Sequence, residues 1–267
     1  MIVDFHSHTW ESDGSLPPAD LCALMVTRGV SIFSVTDHDT LAAYGSFAVP
    51  AHVRLVTGIE INTTYNDNEV HVLGYRLPLE ETPLSALLAR NRAERRKRAE
   101  KMVAQLRAGG YEISMGDVEA EAQPGSALGR PHVAKALIRK GITADVESTF
   151  RTMLRRGKPG YVPSHHITPH EAIDSITAVG GIPVLAHPGR LHDYAIIDEL
   201  VPRGLRGLEV FYPSHERGQI QFFRDAAKRL GLVMSGGSDF HDIRYHKRGV
   251  GMEVELDDIR PFLDLVA

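Results

Sequence analysis

Two short motifs at opposite ends of the chain carry side chains of the types that can bind metal ions. His6 and His8 are two residues apart near the start of the sequence, and Asp239 and His241 have the same spacing near its end. In extended backbone, residues two apart point to the same face, so both members of a pair can reach one ion. Imidazole suits Zn, Mn and Fe, and carboxylates can bridge neighbouring ions while offsetting their charge. The spacing therefore predicts metal binding at both motifs.

Five further residues of ligand type lie at or near predicted strands. They are Asp13, His38, Glu60, His71 and His187. One such histidine, for example His71 taken alone, would more often be a surface or hydrogen-bonded residue. Nine ligand-type residues at strand ends are hard to explain in that way, because buried polar groups are costly unless they are satisfied. Six of the fourteen histidines fall in loops or helices and are expected to be ordinary residues: His52, His165, His166, His170, His192 and His246.

The elements that must position these residues alternate between strand and helix. Short apolar runs predict strands at residues 2–5, 30–35, 53–61, 69–75, 182–186, 205–211 and 232–234. Such alternation indicates a mostly parallel sheet or barrel, in which the chemistry lies at the carboxyl ends of the strands. The fold class is therefore predicted to be α/β.

The middle of the chain interrupts this alternation. The sequence of residues 79–158 predicts helices and no strand. We therefore expect a barrel made from residues 1–78 and 159–267, with a helical insertion, 79–158, that covers the active site. A basic stretch, residues 90–101, could follow a short nucleic acid, but we favour a solvated amphipathic helix whose arginines project outward.

Composition limits the remaining classes of function. The chain has 267 residues, a formal charge of −4 and one cysteine, so a disulfide framework is excluded and stable DNA binding is not expected. Cys22 is predicted to be a buried helix residue. No apolar run approaches the ~20 residues of a membrane span and no secretion signal is evident, so we expect a cytoplasmic protein. The sequence contains neither a Gly-x-Ser-x-Gly motif nor a P-loop or Rossmann glycine pattern.

The order of the motifs resembles that of the PHP (polymerase and histidinol phosphatase) family over nearly the whole chain. The matching motifs are His6-Ser7-His8, Ser12-Asp13-Gly14, Thr36-Asp37-His38-Asp39, Gly58-Ile59-Glu60, Ala186-His187-Pro188 and Ser238-Asp239-Phe240-His241. The middle segment is similar to that of one bacterial branch, which contains nucleoside 3′,5′-bisphosphate phosphatases and 5′-to-3′ oligoribonucleases. The motifs of that branch are Gly129-Arg130-Pro131-His132, Gly157-Lys158-Pro159 and Ile167-Thr168-Pro169.

This resemblance implies a distorted seven-stranded (β/α) barrel that holds two to three divalent metals, Mn²⁺ first, with Zn²⁺ or Fe²⁺ as alternatives. Carried over by residue, the first metal takes His6, His8, Glu60 and Asp239; the second takes Glu60, His71 and His187; the third takes Asp13, His38 and His241. Metal-activated hydroxide would attack phosphorus in line. The residues expected to take part directly in catalysis are Asp13, His38, Glu60, Asp239 and His241.

The activity implied is removal of the 3′-phosphate from a nucleoside 3′,5′-bisphosphate, with 5′-to-3′ trimming of short RNA at the same site. Candidate substrate-binding residues are Arg130, His132, Lys158 and His215, although Arg130 could simply begin a helix and His215 could cap one. The alternatives are a histidinol phosphatase or other small-molecule phosphatase, a non-catalytic metal-binding domain, and a metal-dependent amidohydrolase. The last would normally carry a carboxylated lysine, and no predicted strand ends in a lysine. The oligomeric state stays open.

Overall fold

The strands form two sheets in a computed structural model that describes residues 1–164, 167–244 and 249–267. They are β1 (Ile2–Asp4), β2 (Ile32–Phe33), β3 (Arg54–Leu55), β4 (Gly58–Tyr65), β5 (Asn68–Tyr75), β6 (Ile182–Leu185), β7 (Gly207–Phe211), β8 (Val233–Gly236) and β9 (Met252–Glu253). One sheet has the order β3-β2-β1-β9 and the other β4-β5-β6-β7-β8. His165, His166 and His246, predicted to be ordinary residues, lie outside the described residues.

The predicted α/β class is confirmed, but the strand directions are more mixed than expected. The neighbours β1, β2 and β3 are parallel, as are β6, β7 and β8, whereas β5 is antiparallel to both β4 and β6. The reason is a hairpin: Asn66 and Asp67 join β4 to β5 with φ values of 47° and 60°, the conformation of a two-residue turn between antiparallel strands. The single strand predicted over 53–61 is in fact β3 and β4, because the chain passes from one sheet to the other between them.

Hydrogen bonds beyond the strand ends join the two sheets. The amide of Phe5 donates to the carbonyl of Gly236 (3.0 Å), and that of His8 donates to Phe240 (2.8 Å). On the other side, the amide of Asp39 donates to the carbonyl of Glu60 (3.0 Å). The two sets of contacts bring the predicted ligands of different strands to one region.

Nine α-helices lie in the described part of the chain. They are α1 (Pro18–Thr27), α2 (Pro83–Ala108), α3 (Met115–Glu119), α4 (Arg130–Arg139), α5 (Val146–Thr149), α6 (Pro169–Ala178), α7 (Ala195–Leu200), α8 (Arg217–Leu230) and α9 (Leu256–Leu265). A π-helical turn, Phe150–Leu154, follows α5. Proline begins α1, α2 and α6, where its missing N–H costs nothing. Cys22 is buried in α1 as predicted. None of the helices formed by described residues has the length and apolar character to cross a bilayer.

The apolar residues gather in separate cores. The largest lies around the five-stranded sheet and includes Phe5, Tyr75 and Phe262, whose rings meet edge to face. Another is formed largely by α2, α4 and the π-helical turn, with Met102 and Leu137 among its members. Residues 79–158 are all described and contain no strand, as predicted.

Candidate metal centre and active site

The carboxylate of Glu60 lies at the centre of a cluster of buried imidazoles. Five histidines surround it: His6, His8, His38, His71 and His187. Two imidazole nitrogens lie 2.7 and 3.1 Å from Oε1, and three others lie 3.1–3.2 Å from Oε2. Each oxygen of this carboxylate therefore faces its own group of histidines, which is the arrangement of a bridging ligand.

Two aspartates complete the cluster. Asp239 Oδ1 lies 3.3 Å from His6 Nε2 and 3.2 Å from His8 Nε2. Asp13 Oδ1 lies 3.3 Å from Nε2 of His241, and its Oδ2 lies 3.6 Å from a ring nitrogen of His38. The ligand atoms fall into three sets, each within 4.8 Å: His6, His8, Glu60 and Asp239; His38, Glu60 and His71; and His8, Asp13, His38 and His241. All nine residues that the sequence predicted as ligands are thus brought together.

The ligands can come together because two backbone segments, at His6 and at Gly237, lie in close contact. A Cβ atom on Gly237 would lie 2.3 Å from Cβ of His6 and 2.4 Å from its amide nitrogen, so only glycine fits there. Asp239 and His187 have φ values of 52° and 26°, a region that residues with side chains rarely adopt. Strain of this kind persists where the surroundings hold it, and it clusters at functional sites.

The arrangement of unsatisfied atoms fits divalent metal ions. Four of the seven buried side-chain atoms without a hydrogen-bond partner among the described residues belong to this cluster: Nε2 of His6, Nε2 of His8, Oε2 of Glu60 and Nδ1 of His187. His6 Nε2 and Glu60 Oε2 are only 3.2 Å apart but lack hydrogen-bond geometry. Metal–ligand bonds of about 2.0–2.1 Å put two donors on one ion about 3.0–3.4 Å apart. The spacing therefore suits atoms that share an ion.

Charge in the cluster leads to the same conclusion. Burial opposes protonation of His6, yet the carboxylates of Glu209, Glu60 and Asp239 outweigh it and raise the pKa of His6 well above its ordinary value. Burial likewise opposes ionisation of Glu60, but the imidazoles around it hold the pKa of its carboxyl well below the usual range. The carboxylates thus remain ionised and require positive charge beside them, which divalent ions supply.

Glu209 is a functional residue that the sequence analysis missed. It is fully buried in β7; its Oε1 lies 2.9 Å from Nδ1 of His6, and its Oε2 accepts from the amide of His187 at 2.7 Å. Because Nδ1–H of His6 would donate to this carboxylate, a metal ion that displaces the proton of Nε2 would find the lone pair of that nitrogen directed at the cluster. The sequence does contain one indication of this role, which is a carboxylate inside an otherwise apolar predicted strand, Leu208-Glu209-Val210.

A cavity of about 570 Å³ opens onto the cluster and is lined by residues from the sheets and from residues 79–158. Six cationic residues line it: Arg95, Arg98, Arg130, Lys135, Arg155 and Arg190. Glu69 joins two of them, because its Oε1 lies 2.7 Å from Nη1 of Arg98 and its Oε2 pairs with Arg130. Burial opposes ionisation of Glu69, but both arginines lower the pKa of its carboxyl. The cavity thus combines the ligand cluster with cationic residues, two of which, Arg98 and Arg130, are joined by Glu69.

The basic stretch of α2 differs from the prediction. Arg95 is buried and donates from Nε to the carbonyl of Leu128 at 2.7 Å, and Arg98 donates to the carbonyl of Val162 at 3.0 Å. These two arginines face the cavity rather than solvent. Lys97, in contrast, is exposed and pairs with a neighbouring acid, as expected of a solvated helix.

Of the four predicted substrate-binding residues, all within the described ranges, only Arg130 lines the cavity. His132 is buried, and its Nδ1 accepts from the amide of Gly129 at 3.0 Å, which caps α4. Lys158 is exposed and lies outside the lining. His215 accepts from the amide of Gly189 through Nε2 (3.1 Å) and contacts the carbonyl of Val210 through Nδ1 (2.9 Å). It supports the turn after His187 instead of capping α8.

Arg190, on that turn, is a second residue that the sequence analysis missed. Its Nη1 lies 3.3 Å from Oδ2 of Asp239, and its guanidinium lies 5.2 Å from the ring centroid of Tyr212. The hydroxyl of Tyr212 donates to the same carboxylate oxygen at 2.8 Å. Asp239 is therefore fixed from outside by two residues while its other oxygen faces the histidines.

Comparison with curated proteins finds relatives of nearly the same length. The chain is 31% identical over 265 residues to the 3′,5′-nucleoside bisphosphate phosphatase of Chromobacterium violaceum, covering 96% of this chain and 93% of that protein. It is 32% identical over 265 residues to the 5′-3′ exoribonuclease Rnm of Escherichia coli, covering 90% and 85%. No family model matches the chain.

Solved structures include close neighbours as well. A protein from C. violaceum, described as an amidohydrolase with bound sulfate and no metal, has a TM-score of 0.88 at 28% identity and covers 98% of this chain and 95% of its own. A protein from Bifidobacterium adolescentis, described as a metal-dependent phosphoesterase, has a TM-score of 0.81 at 30% identity and covers 89% and 87%. The fold, the ligand cluster and these relatives define a metal-dependent phosphoesterase.

Within that class, the chain belongs to the bacterial family that contains the 3′,5′-nucleoside bisphosphate phosphatase and the Rnm exoribonuclease.

Proposed function

We propose that this enzyme removes the 3′-phosphate from nucleoside 3′,5′-bisphosphates. The observation that carries the proposal is that one cavity contains both the ligand cluster and an arginine group, Arg98 and Arg130, whose members are joined by Glu69. A substrate with two separated phosphates needs both: one phosphate beside the metals and one beside Arg130 and Arg98. Two comparisons support this proposal. The C. violaceum relative is named a 3′,5′-nucleoside bisphosphate phosphatase, and the C. violaceum structure contains a bound sulfate.

We propose two to three divalent ions, Mn²⁺ first and Zn²⁺ or Fe²⁺ as alternatives. The first would be held by His6, His8, Glu60 and Asp239, the second by Glu60, His71 and His187, and the third by Asp13, His38 and His241. Bound metals would polarise the phosphoryl oxygens and supply hydroxide at neutral pH. The donor set supports this proposal, because imidazole with carboxylate suits these ions better than Ca²⁺, which prefers oxygen.

The chain's own residues would complete the transition-state contacts. Arg130 and Arg98 would bind a phosphate bidentately, because guanidinium matches phosphate geometry. Glu69 would hold both arginines in orientation before the substrate enters. Arg190 would add positive charge beside Asp239 at the edge of the metal cluster.

The fold is proposed to be the distorted seven-stranded barrel of the PHP family, closed by two links. One joins the end of β1 to β8 through Phe5 and Gly236, and the other joins the segment after β2 to β4 through His38 and Glu60. Residues 79–158 would be the helical insertion over the active site, a proposal supported by their own core and by their share of the cavity lining.

Phosphate release from adenosine 3′,5′-bisphosphate in Mn²⁺, with an EDTA-treated control, tests the proposal. Histidinol phosphate and an aryl phosphate ester are the comparison substrates. Arg130→Ala should lower kcat/KM for the bisphosphate more than for the aryl ester, because only the former has a second phosphate. Arg229→Ala, an exposed arginine paired with Asp198, is the matched control. Equal losses on both substrates, or a preference for histidinol phosphate, would argue against the assignment.

A second activity, trimming of short RNA from its 5′ end, is supported by the name of the E. coli relative and by the arginines of α2 that face the cavity. Contacts with several backbone phosphates would make RNA cleavage fall more steeply with salt than bisphosphate hydrolysis. A 5′-phosphorylated oligoribonucleotide, assayed at 50 and 200 mM salt, measures this difference, and an unchanged oligoribonucleotide would remove RNA from the substrate range.

A further inference from the structure

One wall of the cavity is apolar, and neither the metal cluster nor the arginine group accounts for it. Its members all come from residues 79–158: Met102 on α2, Leu128 before α4, and Phe150 at the start of the π-helical turn. Phe150 is partly exposed, whereas Met102 and Leu128 are buried, so the apolar surface that a ligand could cover is mainly the ring of Phe150. A ligand bound by its phosphates alone would leave this ring uncovered.

The apolar wall is supported by a buried core. Met102 and Leu128 are buried, and both belong to the core of α2, α4 and the π-helical turn. The buried residues Met153 and Leu154 anchor the turn that carries Phe150. Phe150 itself is half-buried and packs against that core, so its ring is presented from a fixed support. A π-helical turn of this kind often marks a functional site.

The wall also adjoins the arginine group. The guanidinium of Arg130 lies 5.7 Å from the ring centroid of Phe150, and Arg130 pairs with Glu69 near His71 on β5. The cavity therefore brings together three neighbouring surfaces: imidazoles with carboxylates, guanidinium groups, and an aromatic and aliphatic wall. Together they match a ligand with one phosphate, a second phosphate and a flat aromatic ring, the three groups that branch from the ribose of a nucleoside bisphosphate.

We propose that Met102, Leu128 and Phe150 form the subsite for the nucleobase of the substrate, an inference that rests on the proposed function. These side chains have no hydrogen-bonding groups, and the carbonyl of Leu128 already accepts from Arg95. The subsite therefore recognises the aromatic area of a base rather than its identity, as stacking platforms do. Purine and pyrimidine bisphosphates should both bind, with the larger purine favoured.

Binding in EDTA, where no turnover occurs, tests this separately from catalysis. Isothermal titration would compare adenosine 3′,5′-bisphosphate with the analogue that has a tetrahydrofuran ring and no base. Wild-type protein should bind the nucleotide about 5- to 150-fold more tightly, the range expected for stacking of one base. Phe150→Leu should reduce that ratio several-fold while affinity for the base-free ligand stays unchanged, and Phe150→Trp should retain the ratio.

Phe222→Leu is the control, because Phe222 is an exposed aromatic residue on α8 outside the cavity lining. Equal wild-type affinities for the two ligands would overturn the proposal. So would equal losses on both ligands in Phe150→Leu, which would indicate a packing role alone, or tighter binding of octyl phosphate, which would assign the wall to an alkyl chain. Failure of the proposed function would appear differently, as no phosphate release from the bisphosphate in Mn²⁺ by a protein that still discriminates in EDTA.

Discussion

Replacement of Glu209 by glutamine should weaken metal binding although Glu209 is not itself a predicted ligand. Both oxygens of the carboxylate are in use: one lies 2.9 Å from Nδ1 of His6, and the other accepts from the amide of His187 at 2.7 Å. Glutamine offers one acceptor and one donor in the same space. If its oxygen serves the amide of His187, its NH₂ group meets Nδ1 of His6 and favours the tautomer that places the proton on Nε2, toward the metals. If it is turned over, the amide of His187 faces another donor.

The first orientation keeps both hydrogen bonds but blocks a ligand nitrogen, and the second loses the hydrogen bond from the amide of His187. Outer partners of metal-binding histidines typically contribute about 10- to 100-fold in metal affinity, or roughly 1.4–2.7 kcal/mol. Isothermal titration of Mn²⁺ into EDTA-stripped protein should therefore show a Kd about 10- to 100-fold weaker in Glu209→Gln. Glu199→Gln, at an exposed glutamate, should leave the Kd unchanged, and circular dichroism checks the fold. Wild-type affinity and stoichiometry in a folded Glu209→Gln protein would refute the reasoning.

Three further changes test packing and protonation. Gly237→Ala should destabilise the fold by about 3 kcal/mol in urea unfolding and lower bound metal, because its Cβ would collide with His6; Gly218→Ala, which meets nothing within 4 Å, should be neutral or stabilising. Phe262→Ala should cost about 3–5 kcal/mol, because the ring is fully buried in the main core, and a loss below 1 kcal/mol would contradict that packing. Burial lowers the pKa of His132 to about 4, so between pH 6.5 and 4 the unfolded state takes up a proton that the fold resists. The free energy of unfolding of the EDTA-treated protein should then fall by about 2 kcal/mol more between pH 7 and pH 5 than that of His132→Gln, and parallel pH profiles would exclude this account.

The metal cluster could be predicted from the sequence because several of its residues repeat one local pattern, a ligand just after a strand, although Glu60 and His71 lie inside β4 and β5. His6, His38 and His187 each follow a short apolar run, and parallel strands bring such ends to one edge. Glu209 and Arg190 could not be found in this way. Their roles depend on which loops meet across the sheets, and that information is not local in sequence.

The prediction that the arginines of α2 project outward was wrong for Arg95 and Arg98, for a reason visible in the sequence. Arg95 lies four residues before Ala99 and seven before Met102, so it shares the helix face of these buried residues. Arg98 lies four residues before Met102 and falls beside the same face. Counting positions along the helix would have placed both arginines inward. Their partners, Glu69 and the carbonyl of Leu128, become visible only in the structure.

The central claim is that one cluster of histidines and carboxylates holds several metal ions, and anomalous diffraction from crystals soaked in Mn²⁺ tests it most directly. We expect two or three anomalous peaks within bonding distance of the cluster. One peak should be shared by His6, His8 and Asp239, and at least two peaks should each contact an oxygen of Glu60. Peaks elsewhere on the molecule, or an empty cluster in crystals that bind Mn²⁺ at other sites, would contradict it.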